Sequence, residues 1–131
     1  MKDIKRELEQ VFRAAEAALA RGADAKEFCA LLYDPQAVVV GEGWQSAVRG
    51  MSALVPEVAV LMKEWGVFPK VVFTLVDPMI TVPPVATTFV DVKVAPNDSG
   101  GQGGQYRVMY AWKQGEAGWR VAMEMFGGGV F

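Results

Sequence analysis

A lone carboxylate inside an apolar strand is the residue of this sequence best placed to do chemistry. Glu124 stands in Ala122-Met123-Glu124-Met125-Phe126, with hydrophobes on both sides. Burying an ionised carboxylate among such neighbours is costly unless it is paired or kept protonated. Two outcomes are open: a general acid or base with a raised pKa, or a structural ion pair with Arg107 or Arg49. Period two along a strand sets Glu124 on one face with Ala122 and Phe126. Asp91 alternates between Val90 and Val92 and shares a face with Phe89 and Lys93. It is either a second carboxylate of the same site or an ordinary polar-face residue paired with Lys93. Arg107 could hold an anionic substrate or orient both acids, or it is a plain strand charge. Met109, Met123 and Met125 read either as a plastic pocket lining or as core and dimer packing.

What the sequence lacks narrows the chemistry further. It contains no histidine, so Ser-His and Cys-His nucleophile pairs and His-ligated zinc are excluded. Proton transfer near neutral pH then falls to a carboxylate or lysine with a shifted pKa, or to a tyrosine. The single cysteine, Cys29, cannot form an internal disulfide, and with no basic neighbour it reads as a small core residue. Gly100-Gly101-Gln102-Gly103-Gly104 is no phosphate loop, because no Lys-Ser/Thr pair follows it. Glu42, between two glycines, reads as a solvated hairpin tip, and Arg49 as a clamp on the helix that follows it.

The chain of 131 residues, 52% apolar, 21% charged and of net charge −2, fits one globular domain spanning 1–131. A slightly acidic balance offers no electrostatic footprint for nucleic acid. No apolar run approaches the roughly 20 residues of a membrane span. The charged N-terminus has no apolar stretch behind it, so the expectation is a cytoplasmic protein.

The elements that must position these residues follow from periodicity. Ile4, Leu8, Val11, Phe12, Ala15 and Leu19 form one helical stripe, stopped at Gly22. Asp24 with Glu27 opens a second helix that Asp34-Pro35 ends. Val38-Val39-Val40, Gly41-Glu42-Gly43 and a short strand over 44–48 read as a hairpin. A third helix, capped by Ser52, runs to Trp65 with Gly66 as its stop. Four long strands follow over 71–82, 85–94, 105–114 and 118–126. The sum is an α+β fold in which three N-terminal helices pack on a strongly curved, mainly antiparallel mixed sheet. The strands are apolar on both faces, so a second copy of the chain is expected to cover the outer one in a homodimer.

Three stretches carry a family resemblance: Leu32-Tyr33-Asp34-Pro35-Gln36-Ala37-Val38-Val39-Val40-Gly41, Val48-Arg49-Gly50, and Gly118-Trp119-Arg120-Val121-Ala122-Met123-Glu124-Met125-Phe126. Together they resemble the nuclear transport factor 2-like, or SnoaL-like, superfamily of cone-shaped proteins. Ketosteroid isomerase, polyketide cyclases and limonene epoxide hydrolase are members of it. The resemblance implies a cone with a cavity, toward which the face of Ala122, Glu124 and Phe126 would point. The isomerase's tyrosine, base and aspartic acid fall near Ala15, Gly41 and Met109, so that constellation is absent. The epoxide hydrolase's two acids match Glu124 and Asp91, while its arginine position holds Phe89; Arg107 or Lys93 would have to substitute. The resemblance thus implies Glu124, Asp91 and Arg107 as catalytic residues, and Phe89, Met109, Ala122, Phe126 and Trp44 as ligand-binding ones. It implies no metal or cofactor. The function expected is binding of a small apolar molecule, with acid–base chemistry of isomerase, cyclase or hydrolase type. The alternative is a non-catalytic ligand-binding or assembly domain.

Overall fold

A computed structural model describes residues 3–131. Three helices, α1 (Ile4–Ala20), α2 (Ala25–Leu32) and α3 (Met51–Trp65), pack on a six-stranded mixed sheet. Its strands are β1 (Tyr33–Gly41), β2 (Val48–Arg49), β3 (Val71–Val82), β4 (Val85–Val94), β5 (Gly104–Gly115) and β6 (Gly118–Gly128). The order across the sheet is β2-β1-β6-β5-β4-β3. Only β1 and β6 run parallel; every other pair is antiparallel. The sheet curls without closing.

Local chemistry accounts for the helix ends. Asp3 and Asp24 cap α1 and α2, their carboxylates accepting from the amides of Arg6 and Glu27. α3 departs from the expected Ser52 cap: Gly50 is its N-cap, with φ 82°, and no side chain caps the helix. That left-handed backbone is cheap for glycine, which lets β2 turn directly into α3. Two further boundaries differ from the sequence pattern. β1 begins at Tyr33, straight out of α2, because the residue before a proline favours extended backbone and Asp34-Pro35 continues the strand. The hairpin strand shrinks to Val48–Arg49, since only Val38 and Val39 find partners there.

Phe12 of α1 stands at the centre of the core. It stacks on Phe73 with ring centroids 5.0 Å apart, meets Trp112 edge-on at 5.4 Å and touches Tyr110 at 6.0 Å. The edge of α1 is pinned to β3 by polar contacts as well: Arg13 Nη2 donates to the Phe73 carbonyl, and Glu16 accepts the Phe73 amide. No helix among the described residues is long and apolar enough to cross a membrane.

Two irregularities set the shape of the long strands. The ladder of β3 and β4 shifts between Val76 and Met79, at Asp77-Pro78. In β6 the pairing with β5 runs Trp112↔Val121 and then Ala111↔Met123, so Ala122 is an extra, unpaired residue. That bulge decides which way Glu124 faces. Trp119 and Val121 are buried on the inner face, and strict alternation from them would turn Glu124 outward. One inserted residue returns Glu124 and Phe126 to the inside and leaves Met123 and Met125 exposed. The expected common face of Ala122, Glu124 and Phe126 is therefore corrected: Ala122 is the bulge, and only the other two face inward.

Candidate functional site

Glu124 is 9% exposed on the inner face of β6, between Val39 of β1 and Tyr110 of β5 in the sheet. The Tyr33 hydroxyl donates to Glu124 Oε1 at 2.5 Å. The two residues meet across the parallel pairing of β1 with β6, in which Tyr33 lies opposite Val121 and Val39 opposite Glu124. Among the described residues no basic group balances the carboxyl. The ion pairs among the described residues are Arg13 with Glu16 and Arg21 with Glu27, so neither Arg107 nor Arg49 clamps Glu124.

The electrostatics follow from that isolation. Burial disfavours the charged form and pushes the Glu124 carboxyl from its ordinary 4.5 up to about 7, although the hydrogen bond from Tyr33 opposes the shift. Burial and the nearby carboxylate raise the Tyr33 and Tyr110 phenols well above 10. Burial first, and Glu124 second, push the Cys29 thiol up to about 12, so it is an inert core group. Near neutral pH the cluster therefore holds one titrating group among neutral ones.

Glu124 lies at a cavity of about 50 Å³ shared with Leu61, Trp65, Phe73, Val92, Tyr106, Val108 and Phe126. Glu124, Trp65, Phe73, Val92 and Val108 are buried, whereas Leu61, Tyr106 and Phe126 are partly exposed and form the mouth. Phe126 is held there edge-on by Trp44 at 5.2 Å and by Tyr106 at 6.3 Å. The Trp65 indole donates weakly to the Tyr106 hydroxyl at 3.4 Å. The volume is far below the roughly 300 Å³ at which drug-sized ligand sites begin, so it suits a small molecule or the head group of a longer one.

Gly41 sits beneath this mouth. A Cβ there would come within 2.5 Å of Phe126 Cζ and 2.9 Å of Trp44 Cδ2. Gly41→Ala is expected to displace both rings, with a stability loss of about 1–2 kcal/mol read by urea denaturation and altered Trp44 fluorescence. Unchanged fluorescence and stability would show that the rings do not close over Gly41.

The remaining sequence candidates lie elsewhere. Asp91 and Arg107 are direct cross-strand neighbours, but both stand on the outer face of the sheet, with Phe89 and Met109. Asp91 Oδ1 accepts the Phe131 amide at 2.9 Å, and the Phe131 ring meets Phe89 at 5.3 Å. Phe89, Arg107, Met109, Met125 and Phe131 line an outer groove of about 350 Å³, to which Phe126 also contributes. Period two explains the split: Val90 and Val92 fill the inside, so Asp91 between them faces out. Of the expected site, the structure brings Glu124 and Phe126 together, with Trp44 against Phe126. It moves Asp91, Arg107, Phe89 and Met109 to the opposite side. Glu42 is exposed, as expected of a solvated tip, and its carboxylate also accepts the Gly128 amide at 2.9 Å.

Sequence reasoning missed Tyr33, Trp65 and Tyr106. Tyr33 and Val39, six residues apart, are both buried, but the irregularity between Tyr33 and Val38 interrupts simple alternation, so spacing alone does not mark Tyr33. No group of three or more metal-ligating side chains occurs among the described residues.

Neither the family models nor the curated protein sequences compared with the chain match it. Solved structures do. A ketosteroid isomerase-like protein from Erwinia carotovora atroseptica superposes at a TM-score of 0.70 with 20% identity, over 98% of both chains. A Catenulispora acidiphila protein in complex with S-DNPA gives 0.73 at 19% identity, over 95% of this chain and 92% of that one. An NTF2-like protein with a cystatin-like fold from Novosphingobium aromaticivorans gives 0.67 at 15% identity, over 95% and 80%. The chain has the NTF2-like, cystatin-like cone fold that these proteins share.

Proposed function

We propose that the chain is a small-molecule-binding cone protein in which Glu124 exchanges a proton with a ligand seated under Phe126. The observation that carries this reading is a buried carboxyl with no basic partner among the described residues, hydrogen-bonded by Tyr33 and bordering the cavity. A group titrating near 7 populates both protonation states at working pH, the condition under which general acid–base catalysis is most efficient. Tyr33 is the positioning residue: it fixes one carboxyl oxygen and favours the ionised form. Phe126 and Leu61 keep water from the carboxyl once a ligand is in place. Acid–base chemistry of isomerase, cyclase or hydrolase type on a small, largely apolar substrate fits this arrangement, with Asp91 and Arg107 taking no part. A Catenulispora acidiphila protein of the same fold in complex with S-DNPA supports ligand binding as a use of this fold. Glu124→Gln is expected to keep the fold and lower turnover of a true substrate by roughly 10²–10⁴-fold. An unchanged rate would overturn the reading.

The outer face supports a second reading, assembly. Met109, Met123, Met125 and Phe131 are all more than a third exposed on that side, and such apolar faces mark protein contacts. A homodimer through this face is expected at micromolar concentration by analytical ultracentrifugation, and Met123→Lys with Met125→Lys should leave a folded monomer. A monomeric parent chain would contradict it.

A further inference from the structure

The lining of the cavity has a chemical bias beyond its size. Four of its side chains are aromatic, namely Trp65, Phe73, Tyr106 and Phe126, three are aliphatic, and the only ionisable acid is Glu124. Among the described residues no lysine or arginine lines it. Aromatic rings attract cations through their quadrupoles, and a carboxylate attracts them directly, whereas both repel anions. A neutral apolar guest offers the acid no partner and favours its protonated form, whereas a cation pairs with the carboxylate and favours the ionised one.

We propose, on the reading that this cavity is the ligand site, that it takes the protonated amino head of a small primary alkylamine. The Glu124 carboxylate pairs with the ammonium, the surrounding rings enclose it, and the alkyl tail leaves between Leu61, Tyr106 and Phe126. The volume of about 50 Å³ fits such a head, since one water occupies about 30 Å³ of liquid. It is too small for an aromatic ring.

Proton linkage supplies a signature. An alkylamine has a pKa near 10, like lysine, and stays charged through neutral pH. Glu124 must give up its proton to pair with it. The groups facing Glu124 are Tyr33 from β1, Tyr110 from β5 and Cys29 from α2, all shifted upward and neutral between pH 6 and 8. Helix α3, β3 and β4 offer the cavity only Leu61, Trp65, Phe73 and Val92. With one group titrating near 7, affinity should rise about tenfold from pH 6 to pH 8.

The test is a protein-observed NMR titration with n-butylamine, n-butanol and butyrate at pH 6 and 8. The proposal expects butylamine to move the Trp65 indole resonance, at least tenfold more tightly than butanol at pH 8, with butyrate inert. It also expects Glu124→Gln to lose the preference for amine while retaining butanol binding, and Tyr33→Phe to move the pH midpoint upward. Butanol binding as tightly as butylamine, or a Glu124→Gln variant that keeps the preference, would overturn the cation assignment and leave the pocket reading standing. Binding of none of the three would overturn both.

Discussion

Glu124→Gln is expected to stabilise the folded chain by about 3 kcal/mol at pH 8 and by close to nothing at pH 4. The carboxyl titrates at about 7 when folded, against an ordinary 4.5. Below pH 4.5 both folded and unfolded chains carry the proton, and burial is not penalised. Between 4.5 and 7 the unfolded chain ionises while the folded one keeps its proton, so stability falls as pH rises. Above 7 both are ionised, and the full cost of a buried charge remains. Glutamine never ionises, yet its amide oxygen can still accept from Tyr33. Urea melts of both proteins from pH 4 to 8 should therefore diverge steadily. Parallel curves would mean that Glu124 is solvated or paired in the folded state.

Phe12→Ala should remove about 3–5 kcal/mol, the usual range for deleting a fully buried aromatic ring. Phe12 is 0% exposed and joins α1 to three rings of the sheet, Phe73, Tyr110 and Trp112. The loss reaches the site, because Phe73 is stacked on Phe12 and forms a wall of the Glu124 cavity. Equilibrium urea unfolding checks the value, and a loss below about 1 kcal/mol would show that the site collapses around the gap. Chemical shifts of the Trp65 indole should move as well, reporting a loosened cavity wall.

The order and type of nearly all elements were legible because the patterns are local. The stripe from Ile4 to Leu19, the stop at Gly66 and the alternation through Tyr106, Val108, Tyr110 and Trp112 each lie within a few residues. The site was legible only in part. Glu124 stood out because a carboxylate in an apolar strand needs an explanation. Its partner did not, because Tyr33 lies 91 residues away in the chain and meets it through a parallel pairing. Asp91 and Arg107 are neighbours across β4 and β5, yet alternation sets them on the far side of the sheet from Glu124. The facing of Glu124 itself depends on the bulge at Ala122, and periodicity alone does not reveal a single inserted residue.

The most direct measurement is a ¹³C NMR titration of the Glu124 side-chain carboxyl, assigned by its loss in Glu124→Gln and repeated in Tyr33→Phe. A midpoint near 7 is expected, moving higher when the Tyr33 hydroxyl is removed. A midpoint at or below 4.5, unmoved by Tyr33→Phe, would mean an exposed or ion-paired carboxylate and would contradict the proton-exchanging cavity.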